Sequence, residues 1–276
     1  MIYQCVTLGA GDVNLFLRTV DSKPQEFFAA HVKHLCLSSQ VSSAKATRVL
    51  KVCTGVAQLA LWVDYGGKLP VSGAAAYLSR LRLKRLSIEH SHLINFLANA
   101  QKTPPAWCDT LTHLEVIFWK TVQPSVALPG LDRLPSLTHL TVTGPGLHDI
   151  IHEPWLAAVI SDCPGLRVVL VLADEDEVVE EPFQIGNCWV VPIEYPVNIV
   201  TNWEASFWGL PDLYSRAEGE IKLKELRGSS SLMAGAPLIS VAPLAFIHHG
   251  QKRHQQPRFP LNLLQANIRV LCVGEP

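Results

Sequence analysis

Net charge is almost missing from this chain: 23 lysines and arginines stand against 24 aspartates and glutamates over 276 residues. General nucleic-acid or anionic-membrane binding draws on a basic stripe, so no nucleic-acid or membrane partner is expected. A long apolar run is missing too, because Pro237 and Pro243 interrupt the nearest approach, Leu232 to Ile247. No basic segment precedes an apolar one at the N-terminus, which does not read as a secretory signal. The seven cysteines are odd in number and lack metal-ligand spacing. They point to the reduced interior of a cell, cytoplasmic or nuclear. Nucleotide loops are also absent, since Gly9-Ala10-Gly11 has neither a third glycine nor a following Lys-Ser/Thr. No G-x-S-x-G elbow occurs. The sequence therefore asks for no catalytic residue, no cofactor and no metal.

What the chain does contain is a recurring apolar grid, L/V-x-x-L/V-x-L/I/V, repeated every 24 to 29 residues. Its six copies are Val32-Leu35-Leu37, Val56-Leu59-Leu61, Leu83-Leu86-Ile88, Leu111-Leu114-Val116, Leu137-Leu140-Val142 and Leu166-Val169-Val171. Two independent features support this phase. Cys53, Cys108 and Cys163 each stand three residues before the first anchor, 55 residues apart, with Leu134 in the same slot of the fifth copy. The local text also recurs, as LTHLEV from Leu111, LTHLTV from Leu137 and VKHLCL from Val32. A period in this range is the mark of a solenoid in which each unit supplies one strand.

The two-residue period of a strand sends the last two anchors to one face and the intervening residues to the other. Successive strands in parallel register need crossovers of a dozen or more residues. Helices are expected over 42–53 and 91–102, each opening on a Ser, with shorter ones over 72–79 and 154–160. Pro124 and Pro129 limit the 121–134 spacer to a turn or a 3₁₀ piece.

These phrases, together with HVKHLCL (31–37), WCDTLTHLEV (107–116), LPSLTHLTV (134–142) and DCPGLRVVLVL (162–172), make residues 32–174 resemble the leucine-rich-repeat family. Within it, the irregular repeats found behind an F-box in many fungal proteins are the most similar. The resemblance implies an α/β solenoid with a parallel sheet on its concave face and helices or turns on its convex face. It also implies a protein-binding role of the substrate-recognition kind. The position three beyond the last anchor, often Asn in regular members, reads Gln40, Asp64, Ser91, Trp119, Pro145 and Asp174, so no asparagine ladder is expected. An F-box pattern is not found ahead of the array, so a ubiquitin-ligase adaptor role is not expected.

The organisation that follows has an N-terminal cap over 1–31, six repeats over 32–174, a C-terminal cap over 175–226 and a poorly ordered tail over 227–276. The sixth strand, VVLVLA from Val168, is apolar on both faces, and the aromatic segment holding Trp189, Tyr195, Trp203, Phe207, Trp208 and Tyr214 is expected to cover it. A charged helix from about Asp212 to Leu226 ends that cap.

The concave positions are the candidate contacts for a protein partner: Trp62, Arg85, Glu89, His113, Glu115, Ile117 and His139. Trp and Arg are the side chains that most often anchor protein interfaces. His34, His113 and His139 share one repeat slot, which inherited repeat identity explains without any ligand. An alternative reading, a metal-dependent hydrolase, rests on His148 and His152 at helical spacing. Asp149 stands where such enzymes carry Glu, and Pro154 limits the helix. A third reading is a truncated gene product with no function of its own.

Overall fold

Short β-branched and leucine-rich segments separated by crossovers become strands of one sheet. The computed structural model describes residues 3–63, 74–99, 104–118, 128–144, 153–173 and 181–233. Its strands are β1 (Cys5–Leu8), β2 (His34–Leu37), β3 (Gln58–Leu61), β4 (Arg85–Glu89), β5 (His113–Ile117), β6 (His139–Thr143), β7 (Val168–Ala173), β8 (Phe183–Ile185) and β9 (Cys188–Glu194). The helices are α1 (Asp12–Ser22), α2 (Gln25–His31), α3 (Ser43–Val52), α4 (Ala74–Leu78), α5 (His90–Asn99), α6 (Glu153–Asp162), α7 (Ile199–Trp208) and α8 (Leu213–Met233). A 3₁₀ turn, Leu131–Arg133, stands in the proline-containing spacer.

The chain is thus a mixed α/β protein on a nine-stranded sheet of order β1-β2-β3-β4-β5-β6-β7-β9-β8, parallel except for the β8–β9 pair. From β2 to β7 the spatial order follows the chain order of the six triads. Register holds the anchors in straight rows, for instance Leu35, Leu59, Leu86, Leu114, Leu140 and Val169. Those rows, with Val13, Phe16, Phe28, Val49, Leu50, Leu78, Leu93 and Leu156 of the crossover helices, form one continuous core. Burying each such aliphatic side chain is worth about 1.5–3 kcal/mol. Cys53, Cys108 and Cys163 lie inside this core, where burial pushes their thiols up to about 12, 11 and 12 respectively.

The termini of the sheet extend beyond the six triads. Residues expected to act only as an N-terminal cap supply a strand: β1 pairs in parallel with β2, Val6 opposite Leu35 and Leu8 opposite Leu37. Its own text, Tyr3-x-x-Val6-x-Leu8, fits the grid with tyrosine as the first anchor, 29 residues ahead of Val32. At the other end β7 is not the last strand, since β9 pairs with it over Val168 to Ala173 and β8 turns back against β9 through Gly186, φ +59°. Helix α8 runs through Met233, seven residues past the expected end; the remainder of the tail, 234–276, lies outside the described residues.

Candidate functional site

The alternate residues of the strands define the second face of the sheet. In register across it run Cys5, His34, Gln58, Arg85, His113, His139, Val168 and Trp189, and beside them Thr7, Cys36, Ala60, Ser87, Glu115, Thr141, Leu170 and Val191. Polar and small side chains occupy β1 to β6; aliphatic ones take over at β7 and β9. Helices α7 and α8 lie on this face.

The cover's shape is set by its caps. Asn198 Oδ1 accepts from the backbone N–H groups of Val200 and Thr201 at 2.9 and 3.0 Å, opening α7. Gly209, at φ +67°, closes it in the left-handed conformation, and Leu210 N–H returns to the Ala205 carbonyl. A reciprocal cap starts α8 three residues later: Ser215 N–H donates to Asp212 Oδ1 at 3.0 Å, and Asp212 N–H donates to Ser215 Oγ at 2.8 Å. This tight corner places the second carboxylate oxygen of Asp212 2.7 Å from the Arg85 guanidinium.

Arg85 is the centre of the covered face. Its guanidinium lies 4.6 Å from the Trp203 ring of α7 and 4.9 Å from the Tyr214 ring of α8, with Asp212 as its ion-pair partner. The nearby Arg85 charge and the Ser215 hydrogen bonds hold the Asp212 carboxyl below its ordinary value, although burial acts the other way. Beside it, Glu115 is buried and burial raises its carboxyl, with the Ser87 hydroxyl and Arg85 opposing that rise. Around α7, Trp203 and Ile199 pack with Cys36, Ala60, Trp62 and Ile117. Trp62 donates its indole N–H to Ser87 Oγ at 2.8 Å. Thr7 donates to Glu204 of α7, and the rings of His34 and Phe207 meet at 4.9 Å. Under α8, Leu213, Ala217 and Ile221 pack on Val168, Leu170, Leu172, Val191 and Ile193.

The repeated Thr-His text has a structural cause here. Thr112 Oγ1 donates to the Lys84 carbonyl at 3.0 Å and Thr138 Oγ1 to the Thr112 carbonyl at 3.1 Å. Each hydroxyl has one proton, so each accepts from its neighbour's ring: His113 Nδ1–H at 2.8 Å and His139 Nδ1–H at 2.9 Å. In the neutral form of either imidazole the proton therefore sits on Nδ1 and Nε2 is bare. They stack at 4.3 Å with 5° between planes, and Tyr214 stands edge-on to both. His139 Nε2 faces Glu218 of α8 at 3.6 Å. His34 follows Lys33 instead of Thr, and its Nδ1 has no hydrogen-bond partner.

The residues read as contacts for a separate protein are brought together on one face, and it is the chain's own cover that occupies that face. Trp62, Arg85, Glu115, Ile117 and His139 are buried; His113 and Glu89 are half-buried. Glu89 instead accepts from Ser91 Oγ and His92 N–H at the start of α5. The aromatic cap was expected over the sixth strand alone, whereas it spans the whole second face from Thr7 to Ile193. Asp212, Trp203, Tyr214 and Glu218 are the partners that strand periodicity could not supply. Their signal was the P-D-L-Y-S text, a helix-opening Asp-x-x-Ser beside tryptophan-rich sequence.

His148 and His152 lie outside the described residues. Among those described, no group of three His, Cys, Asp or Glu is arranged to hold a metal ion. No described helix is long and apolar enough to cross a membrane. No family model matches the chain, and no curated protein is significantly similar to it.

Proposed function

We propose that this chain is a non-catalytic protein-interaction module of leucine-rich-repeat type, and that its partner docks on the outside of the C-terminal cover. Support for the repeat solenoid comes from six triads stacked in chain order and three cysteines sharing one buried slot. The observation that carries the binding surface is where apolar side chains stay exposed. Six large ones do so among the described residues, and all but Leu15 belong to the cover and its flanks: Val197, Trp208, Leu210, Leu223 and Leu226. Val197 is 98% exposed, Trp208 51% and Leu210 59%. Exposed large apolar side chains concentrated in one stretch of a protein that already has a full core are candidate contacts, and tryptophan is among the commonest anchor types.

In this reading Trp62, Arg85, His113, Glu115, Ile117 and His139 serve the cover, Glu89 serves the start of α5, and recognition passes to the two ends of α7. The role is one of holding a protein, as in the substrate-recognition regions the repeats resemble. The test is proximity labelling and affinity capture in cells with the native chain and with the Trp208→Ala, Leu210→Ala double variant. Partners bound by the native chain should drop at least tenfold with the double variant and persist with Leu15→Ala. Equal partner sets in all three would discard the surface.

A further inference from the structure

We propose that the α7–α8 cover is an acid-released lid: protonation of the histidines beneath it lifts α7 and the first turn of α8 from β1–β6, while α8 stays pivoted on β7 and β9. The inference stands apart from the binding reading above, because it concerns the sheet face the lid hides.

Three features of the geometry support it. First, the lid is separable. The continuous core between the sheet and the crossover helices includes no residue of α7 or α8, and the lid contributes only to two smaller clusters on the other face. Second, the lid's two halves rest on different chemistry. Over β7 and β9, beyond the first turn of α8, the contact is aliphatic, through Ala217 and Ile221, and insensitive to pH. Over β1 to β6 the apolar contact of Ile199 and Trp203 with Cys36, Ala60, Trp62 and Ile117 runs beside the row His34, Gln58, Arg85, His113 and His139, which carries the imidazoles. Third, that row already contains a permanent cation. Arg85 is in register with His113, which stacks on His139, so two further protons would place three cations on adjacent strands beneath aromatic rings.

The groups facing these imidazoles are few enough to name. His34 meets Phe207 and feels Arg85; burial first, then Arg85, lowers it to about 4. His113 meets Tyr214, His139, Arg85 and Asp212; burial first, then His139 and Arg85, lower it to about 4, while Asp212 opposes. His139 faces Glu218, Arg167, Asp212 and Tyr214, and burial lowers it despite both carboxylates. Glu204 and Cys5 complete the β1 side, and the Cys5 thiol, raised to about 12, takes no part in the acid range.

The sign follows from linkage. A histidine whose covered value lies below 6.5 favours the closed lid above that pH and opposes it as pH falls toward about 4. Glu115 acts in reverse, because its carboxyl is raised when covered and acid therefore favours closure through it. Three imidazoles against one carboxyl leave release as the net response. Each extra proton taken up by the open form shifts the balance by up to about tenfold per pH unit.

Hydrogen exchange on the full chain, corrected for intrinsic rates, reads the lid and the sheet separately. Between pH 7.5 and 5, protection of the 200–209 amides should fall by at least about tenfold, reversibly, while amides of β4 to β6 hold theirs. The His113→Gln, His139→Gln double variant should flatten the response, and Glu115→Gln, which removes the opposing proton, should steepen it. If the histidine variant does not fold, the Glu115→Gln steepening is decisive alone. Protection of 200–209 that stays constant from pH 7.5 to 5, or falls only together with β4 to β6, overturns the lid; so does a Glu115→Gln response shallower than that of the native chain.

Discussion

At the scale of single residues, the Thr-His pairs show how one dipeptide can be both a repeat signature and a structural device. Each threonine hydroxyl ties two strands through a carbonyl of the preceding repeat and fixes the tautomer of the histidine beside it. The pairs were legible as repeated text; their role required knowing what lay above them. Arg85 is the sharper case. Its position on the second face followed from strand alternation, but Asp212 is 127 residues away and no local pattern links them. Both side chains of this ion pair are buried, so removing one partner leaves a charge without compensation. Asp212→Ala should cost about 3–5 kcal/mol in urea denaturation, whereas an Arg85→Met, Asp212→Leu double variant should recover most of that loss. Cysteine chemistry offers a second check at this scale. With thiols pushed up to between about 11 and 12, Cys53, Cys108 and Cys163 should resist iodoacetamide at pH 8 in the native chain and react on denaturation.

At the scale of elements, periodicity located β2 to β7 because their anchors alternate cleanly against a continuous core. All four expected helices are present: α3 and α5 fall at Ser43–Val52 and His90–Asn99, within three residues of the expected bounds, and α4 and α6 at Ala74–Leu78 and Glu153–Asp162, within two. Strand β1 escaped notice because a tyrosine fills its first anchor, and β9 because Pro192 interrupts an otherwise apolar run. The aromatic segment and its closing charged helix are expected over one strand; the segment forms a helix of its own, α7, and the two helices cover the second face from β1 to β9. Alternating Cys36, Ala60, Trp62 and Ile117 on the second face were a hint that water does not reach it, but with His, Arg and Glu among them the same face also passed for a binding surface. Close approach of elements is another quantity a sequence hides. A Cβ on Gly55, in the turn before β3, would fall 1.9 Å from the Ala29 carbonyl oxygen of α2. Gly55→Ala should therefore force α2 away from that turn and lower stability by about 1–3 kcal/mol, measured as a shift in the denaturation midpoint.

Across the whole molecule, the sheet is covered on both faces, by α1 to α6 on one side and by the lid on the other. A parallel sheet buried on both sides usually has aliphatic residues on both. Here only β7 and β9 meet that expectation; β1 to β6 substitute a polar layer held by one ion pair, an imidazole stack and a buried carboxyl. The molecule should consequently be most stable near neutrality. Below pH 6.5 the contributions of His34 and His113 fade as pH approaches about 4, and below the ordinary carboxyl range the depressed Asp212 adds its own loss. Thermal unfolding by circular dichroism should give a lower Tm at pH 4.5 than at pH 7.5, with part of the difference removed by His113→Gln.

The position of the lid at the late end of the chain bears on how the protein is made. Strands β1 to β7 emerge from a ribosome in the order in which they pair, so the first face can assemble as synthesis proceeds. Arg85 must wait for Asp212, 127 positions later, and at about 5–20 residues per second that takes roughly 6–25 s. For that interval a nascent sheet leaves Cys36, Trp62 and Ile117 uncovered, a window in which a chaperone would find a platform that the finished protein no longer displays.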